Sequence, residues 1–344
     1  MYPIAPPLLG WFYANRRSLP FRDDPTPYHI WVSEIMLQQT RMTAVLPYYE
    51  RFMKTLPDIP ALAACPMETL HKLWEGLGYY SRVHNLQKAA QVVCETYGGE
   101  LPGDYETLLT LPGIGPYTAG AIASISFGLP CPAVDGNVLR VFSRLYCDEG
   151  DISDPAVKKR CTERVMEHQP PDSPGDFNQA LMEFGALVCT PRSPDCAHCP
   201  LGEMCEARAA GCAEELPKKA PKKDRKVQKV TVALVRSPKG VLLEKRPEKG
   251  LLAGLWQPYT VEKECTEADM LAALTSLGLH CRTVSPLTPA KHLFTHIEWQ
   301  LSGWIFDTDD TPSLPENMLW LNAKNRDYFA LPSAFGAYRA LIVV

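Results

Sequence analysis

Apolar residues recur at helical spacing through the first part of the chain and then give way to strand-like runs. The spacing predicts helices over His29–Thr40, Pro66–Leu77, Val83–Tyr97, Tyr105–Thr110, Tyr117–Phe127 and Gly136–Tyr146. Later, Val230–Arg236 and Gly240–Arg246 are β-rich and flank Ser237-Pro238-Lys239, as in a hairpin. Ala268–Leu277 predicts a helix closed by Gly278, and His296–Phe306 another strand. The pattern predicts an all-α domain followed by a smaller α+β domain.

A basic, proline-bearing stretch separates the two parts. Between Leu216 and Lys229 the chain has seven basic residues and one acid, Asp224. We therefore place the domains at residues 1–213 and 229–344, joined by a linker at 214–228. The linker is either a connector alone or a direct phosphate contact. The net charge of −4 over 344 residues gives no whole-chain indication of nucleic-acid binding.

Hydropathy and cysteine content bear on location. No apolar run approaches the roughly 18–20 residues of a membrane span, and no basic-then-apolar leader opens the chain. Twelve cysteines without a secretory signal favour a reducing compartment, where thiols bind metal rather than pair. We expect a cytoplasmic protein with no targeting signal and no membrane association.

Four of the cysteines lie close together in the sequence. Cys189, Cys196, Cys199 and Cys205 are separated by six, two and five residues. A pair two residues apart can point both thiolates at one centre, and zinc and iron–sulfur clusters both take four thiolates. The alternative is a set of reduced core cysteines.

A glycine-rich turn gives a second signal. In Leu111–Gly120, which reads LPGIGPYTAG, Gly113 and Gly115 allow a tight turn and Pro116 suits the first turn of a helix. Unpaired amides at that helix start could hold a DNA phosphate, although the segment also fits a plain helix–helix turn.

Two carboxylates are candidates for chemistry. Glu34 is the only charge between Ile30 and Thr40, so a helix here would bury it and raise its pKa. Otherwise Glu34 reaches solvent or a structural partner. Asp135 lies 20 residues after Gly115 and is also suited to cap a helix beginning at Gly136.

The hairpin, Asp135 and the cysteine loop, in that order, resemble the endonuclease III superfamily of base-excision glycosylases. Together with SEIMLQQT (33–40), GLGYYSR (76–82) and VDGNVLRV (134–141), they resemble the MutY family of adenine DNA glycosylases over nearly the whole chain. The resemblance implies a two-lobed, all-α helix–hairpin–helix domain with an iron–sulfur cluster loop, then an α+β Nudix-like domain. It also implies one 4Fe–4S cluster on the four cysteines.

The resemblance implies excision of adenine mispaired with 8-oxoguanine or guanine, without lyase activity. Glu34 would protonate the flipped adenine, Asp135 would stabilise the oxocarbenium-like sugar, and Tyr117 and Asn137 would orient these carboxylates. Superfamily lyases carry a Schiff-base lysine where this chain has Tyr117, and a phenol cannot form an imine. We expect a monomer bound to mispaired double-stranded DNA, and through DNA to the nucleoid.

Further positions match substrate or DNA contacts in the family. These are Arg17, Phe21, Arg22, Leu37, Gln39, Thr40, Tyr79, Gly113, Gly115, Phe294, Thr295 and His296. Phe21 stands where tryptophan is frequent, and Arg17 where some members have lysine. Gln179 stands where some members have an acid, and we assign it no role. Phe294-Thr295-His296 stands where the family has Phe-Ser-His to recognise 8-oxoguanine.

Two other functions remain open on the sequence. An endonuclease III-like lyase acting on pyrimidines is disfavoured by Tyr117 and by the extra domain. An iron–sulfur DNA-binding protein without chemistry is disfavoured by the presence of both Glu34 and Asp135. Pyrophosphohydrolase activity is not expected, because Asp269–Leu279, DMLAALTSLGL, offers one acid where Nudix hydrolases need several.

Overall fold

The computed structural model describes residues 4–221 and 224–342. The chain divides into two compact units. One holds Met1–Ala64 and Asn85–Lys222, and the other holds Cys65–His84 and Lys223–Val344. The division differs from a single cut at the linker, because Cys65–His84 groups with the C-terminal part.

The first unit is helical. Its helices are α1 (Ala5–Asn15), α2 (Pro20–Asp23), α3 (Pro27–Leu37), α4 (Met42–Thr55), α5 (Ile59–Ala64), most of α7 (Ser81–Tyr97), α8 (Tyr105–Leu109), α9 (Pro116–Phe127), α10 (Gly136–Leu145), α11 (Pro155–His168), α12 (Pro174–Leu187) and α13 (Glu206–Ala209). Short 3₁₀ turns lie at Gly202–Met204 and Ala213–Glu215. A core cluster that includes Leu8, Phe12, Phe142, Phe177 and Phe184 packs α1, α10 and α12 together.

The predicted helices are present, with ends shifted by a few residues. The helix expected over His29–Thr40 is α3, which begins at Pro27 after the Thr26 cap and ends at Leu37. It stops there because Gln38 leaves the helical conformation and Gln39 has a left-handed φ of 58°. The tight turn before α9 needs glycine at position 113. Its φ is 78°, and a Cβ there would lie 2.7 Å from Asn85 Cβ.

The second unit is built on a mixed sheet. Its elements are α6 (Met67–Trp74), β1 (Lys226–Ser237), β2 (Gly240–Lys245), β3 (Trp256–Val261), α14 (Glu267–Ser276), β4 (Arg282–Pro286), β5 (Ala290–Leu293), β6 (Ile297–Asp307), β7 (Met318–Leu321), a 3₁₀ segment Ser333–Tyr338 and α15 (Arg339–Ile342). The order is β4-β6-β1-β3-β2-β7, with β5 also paired to β6. Both faces of β1 are buried, since Val232 and Leu234 belong to one core cluster and Ala233 and Val235 to another.

The predicted β1–β2 hairpin is confirmed by the pairing of Ser237 with Gly240. Strand β1 begins at Lys226, three residues before the expected domain start at 229, because it pairs in parallel with β6 from Lys226↔Ile297 onward. Within the predicted linker, Leu216 is buried. No helix within the described residues is long and apolar enough to cross a membrane.

Candidate active site

Helix α3 carries Glu34 into an apolar environment. Thr26 caps the helix by accepting from the His29 N–H, and Pro27 occupies its first turn. Trp31, Val32 and Met36 are fully buried, and Glu34 is 6% exposed. The Tyr117 hydroxyl, at the start of α9, donates a hydrogen bond to Glu34 Oε2 and also contacts Met182 Sδ at 3.3 Å. The buried carboxyl thus has one phenolic donor.

Burial raises the pKa of Glu34 to about 7, and the negative field of Asp135 adds to the increase. The Tyr117 hydrogen bond and Arg22 act in the opposite direction. A carboxyl with this pKa is substantially protonated near neutral pH, which is the requirement for a general acid.

Asp135 is the N-cap of α10, as the sequence suggested. Its Oδ1 accepts from the Asn137 and Val138 N–H groups, both at 2.8 Å, and its Oδ2 accepts from Asn137 Nδ2 at 2.8 Å. Burial raises its pKa even though these donors and Arg140 favour the ionised form. Three donors therefore fix the carboxylate in one orientation.

Behind Asp135 a hydrogen-bonded chain runs to the cysteine loop. Arg140 donates to Asn137 Oδ1 at 2.8 Å and to the Gly185 and Cys189 carbonyls at 2.7 and 2.8 Å. Asn137 in turn holds Asp135. The amide is therefore fixed on both sides, which fits its predicted orienting role.

Glu34, Tyr117, Asp135 and Asn137 line one cavity of about 1290 Å³. The same cavity is lined by other predicted contact residues, namely Arg17, Phe21, Arg22, Leu37, Gln39, Thr40, Gly113 and Gly115. Gln179, which received no role, also lines it. The volume exceeds the ~300–1,000 Å³ of most small-molecule sites, so the cavity has room for more than a free base.

Glu183 on α12 lies at the same site and is not among the residues predicted from the sequence. It is 1% exposed and accepts from Arg17 Nε at 2.6 Å and from an Arg22 terminal nitrogen at 2.9 Å. Burial alone would raise the pKa of Glu183, but hydrogen bonds from Arg17 and Arg22 outweigh it and lower the pKa to about 2. The pattern that predicts burial of Glu34, one charged residue in an apolar helix, is also present here, since Glu183 is the lone charge in ALMEFGAL (180–187).

Phe21, a predicted contact residue, is buried. The ring is 4% exposed and meets Tyr49 edge to face, with ring centroids 5.4 Å apart. It forms part of the cavity wall and has little free surface on which a base could stack.

In the second unit, residues far apart in sequence meet at a hairpin tip. Thr295 and His296 are exposed between β5 and β6, where the Phe294 N–H donates to the Ile297 carbonyl at 2.8 Å. The Tyr79 hydroxyl lies 3.2 Å from Thr295 Oγ1. Tyr79 is 47% exposed and has a left-handed φ of 49°. The structure thus joins two of the predicted DNA contacts.

The four predicted metal ligands also come together. Cys189, Cys196, Cys199 and Cys205 line one small cavity, and Arg144 donates to Cys189 Sγ at 3.3 Å. Within residues 4–221 and 224–342, no three His, Cys, Asp or Glu side chains are gathered closely enough to hold a single metal ion. Four cysteine thiolates are a donor set that both zinc and iron–sulfur clusters use.

The comparisons with known proteins identify this chain as a helix–hairpin–helix DNA glycosylase of base-excision repair. The HhH-GPD superfamily of base excision DNA repair proteins matches residues 32–167, and the NUDIX domain family matches residues 231–340. A solved thermostable thymine-DNA glycosylase is 28% identical, with a TM-score of 0.54 over 59% of this chain and 94% of that one. Endonuclease III from a non-covalent DNA complex is 26% identical, with a TM-score of 0.52 over 59% and 92%.

Similarity to adenine DNA glycosylases covers most of the chain. The mouse enzyme is 35% identical over 91% of this chain and 73% of its own length. The enzyme of Buchnera aphidicola from Acyrthosiphon pisum is 30% identical over 96% and 95%. The chain belongs to the adenine DNA glycosylase (MutY) family. This confirms the predicted family, and the family matches confirm the helical glycosylase domain and the Nudix-like region.

Proposed function

We propose that this enzyme binds double-stranded DNA and hydrolyses the N-glycosidic bond of adenine mispaired with 8-oxoguanine or guanine. The observation that carries the proposal is a buried carboxyl, Glu34, with a pKa of about 7, in the same cavity as the fixed carboxylate of Asp135. Departure of adenine needs a proton at the base and negative charge near the sugar. Glu34 would provide the proton, and Asp135 the negative charge.

Glu34 is the proposed acid. Protonated Glu34 donates to a ring nitrogen of the extruded adenine, so the base leaves neutral. Tyr117 holds the Glu34 carboxyl through its hydroxyl, which leaves the other carboxyl oxygen to face the base.

Asp135 is the proposed stabiliser of the sugar cation, by its charge or by a transient bond. Its helix-capping hydrogen bonds supply the preorganisation, because the carboxylate need not reorient as positive charge develops. Asn137 completes this support. Tyr117 stands where lyases of the superfamily have lysine, so we propose hydrolysis without strand cleavage.

DNA contacts are proposed around the same cavity. The amides of the Gly113–Gly115 turn at the start of α9 would bind a phosphate. Arg17 and Arg22, oriented by Glu183, would face the nucleotide from one side, with Phe21 behind them. Leu37, Gln39 and Thr40 would line the pocket or enter the duplex. Tyr79 is a separate proposed DNA contact, which belongs to the second unit. Monomeric action and a cytoplasmic, nucleoid-bound location stay predictions.

Cys189, Cys196, Cys199 and Cys205 are proposed to hold one 4Fe–4S cluster. When bound, the cluster would supply an iron–sulfur centre that ties its loop into a fixed shape. Arg144 supports the loop directly, through Cys189 Sγ and the Thr190 and Pro191 carbonyls.

The C-terminal unit is proposed to read the opposite base. Thr295 and His296 at the exposed hairpin tip, with Phe294 beside them, offer polar contacts to the N7 hydrogen and 8-oxo group that distinguish 8-oxoguanine. Pyrophosphate hydrolysis is not supported, because Asp269 accepts from the Thr266 N–H and hydroxyl in a capping box. The domain limits of 1–213 and 229–344 stay a prediction, which places residues 65–84 in the first domain, whereas the division into compact units groups them with the C-terminal part.

One gel assay tests the activity. The enzyme is incubated with an adenine:8-oxoguanine duplex under single-turnover conditions, and half of each sample is treated with hot alkali. Breaks at adenine that need alkali support a monofunctional glycosylase. Strand breaks without alkali would indicate a lyase. If no breaks form under either condition, the protein would be a DNA-binding protein without glycosylase activity.

A further inference from the structure

Two cysteine thiols outside the four-cysteine loop are in contact. Cys147 Sγ and Cys212 Sγ lie 3.4 Å apart, although 65 positions separate the residues in sequence. Both side chains are half-buried, so solvent reaches them. Neither has a place in the proposed glycosylase chemistry or in the proposed cluster ligand set.

The backbone holds both residues in place. Cys147 follows the end of α10, and its N–H donates to the Arg144 carbonyl at 3.3 Å. Its φ of 45° lies in the left-handed region that residues with a Cβ rarely adopt. Cys212 follows α13, and its N–H donates to the Ala207 carbonyl at 2.9 Å. The thiol contact therefore joins two ordered helix ends.

The pair shares its surroundings with two proposed cluster ligands. Ala207, Ala213 and Leu216 form a small buried cluster, and Cys147, Cys196, Cys205 and Cys212 pack against it. Among these thiols, Cys147 and Cys212 are the two joined by a sulfur–sulfur hydrogen bond in the described part of the chain. The contact thus selects one pair from several neighbouring cysteines.

We propose that Cys147 and Cys212 form a reversible disulfide when hydrogen peroxide oxidises the protein. The bond would fasten the C-terminal end of α10, the helix capped by Asp135, to the segment after the fourth cysteine of the loop. An S–S bond is about 2.05 Å long, so the sulfurs need to approach by about 1.4 Å.

Hydrogen peroxide is the only oxidant that this disulfide formation needs. One cysteine sulfur attacks a peroxide oxygen and breaks the O–O bond, giving a sulfenic acid and one water. The second sulfur then attacks the sulfenic sulfur and displaces another water as the S–S bond forms. Two thiols are oxidised by two electrons and the peroxide is reduced to two waters. A dithiol such as dithiothreitol reverses the step by exchange.

Tryptic peptide mapping tests the proposal in the full-length protein as purified. Trypsin places Cys147 in residues 145–158 and Cys212 in residues 209–218, whereas Cys196, Cys199 and Cys205 share residues 193–208. After peroxide treatment and alkylation in denaturant, we expect peptides 145–158 and 209–218 linked together, two hydrogens lighter than their sum. Dithiothreitol should release both.

Serine variants and a matched control make the test specific. Cys147→Ser and Cys212→Ser should each abolish the linked species, whereas Cys94→Ser, which also removes a half-buried thiol from the helical unit, should leave it unchanged. Circular dichroism checks that the variants fold. The peptide map of the wild-type protein tests the proposal even if a variant does not fold. Linkage of Cys147 or Cys212 mainly to Cys196 or Cys205 would overturn the proposal. The proposal would also be overturned if Cys147 and Cys212 were both fully alkylated after a peroxide dose that oxidises other cysteines.

Discussion

Replacing Glu34 with glutamine should strongly slow excision and, near neutral pH and above, stabilise the fold. An amide cannot give a proton to adenine, so single-turnover excision should fall by about 10²–10⁴-fold, with DNA binding retained. In the wild type, rising pH above about 7 should slow excision, because it ionises the acid.

The stability gain follows from the raised pKa. Glu34 ionises near its ordinary value of 4.5 in the unfolded chain and at about 7 in the folded protein. When the pKa of a group is higher in the folded than in the unfolded chain, the stability that the protonated group contributes is fully present at pH values below the unfolded-state pKa. That stability is lost as pH rises through the folded-state pKa. The loss is about 3 kcal/mol once pH exceeds 7. Glutamine has no charge to bury, so Glu34→Gln escapes this loss.

Thermal unfolding across pH measures the effect. The free energy of unfolding of Glu34→Gln, relative to wild type, should rise by about 3 kcal/mol between about pH 4.5 and pH 8. For a unit of this size, that corresponds to a relative gain in melting temperature of roughly 6–12 °C. Any cost of fitting the amide beside Tyr117 is the same at every pH and does not affect the slope.

Glu95→Gln is the matched control. Glu95 is exposed on α7, so the same substitution there should give a stability difference that does not change with pH. A pH-independent difference for Glu34→Gln would refute the argument that burial penalises the Glu34 charge. Near-wild-type excision by this variant would show that another group supplies the proton.

Four further outcomes are expected. Asp135→Asn should bind the mispair but lose single-turnover excision; near-wild-type rates would exclude its charge from catalysis. Glu183→Gln should lower the melting temperature at neutral pH by the equivalent of roughly 3 kcal/mol, with the gap closing as pH falls through the folded pKa of about 2. Cys199→Ser should reduce iron content and solubility, and zinc in anaerobically prepared wild type would contradict the cluster proposal. Thr295→Ala with His296→Ala should reduce the 8-oxoguanine-over-guanine preference by about 1–3 kcal/mol, whereas equal losses on both mispairs would assign the hairpin tip to packing alone.

The local features of this protein were predictable from sequence because each depends on neighbours in the chain. A lone carboxylate in an apolar helix indicated that Glu34 is buried, and an aspartate before a helix start indicated the Asp135 cap. The β1–β2 hairpin followed from two β-rich runs around a proline turn. In each case the deciding contacts lie within a few residues of one another.

The features that escaped prediction depend on contacts between distant segments or on unusual backbone. The ion pairs of Glu183 cross more than 160 positions to Arg17 and Arg22, with separations of 166 and 161. The left-handed backbone conformation of Tyr79 could not be predicted from the sequence, because tyrosine rarely adopts it. Burial of Phe21 against Tyr49 likewise depends on packing between helices.

The grouping of Cys65–His84 with the C-terminal part has a consequence for the order of synthesis. In the finished unit, the Leu331 N–H donates to Glu75 Oε1 across 256 positions, and Arg339 pairs with the same carboxylate at 2.9 Å. At about 5–20 residues per second, Glu75 is added to the chain roughly 13–50 s before Leu331. During that interval α6 lacks these partners, and the larger part of the helical unit is synthesised. The unit proposed to read 8-oxoguanine therefore completes its fold last, and a ribosome that stops early leaves an exposed α6 for chaperones and proteases.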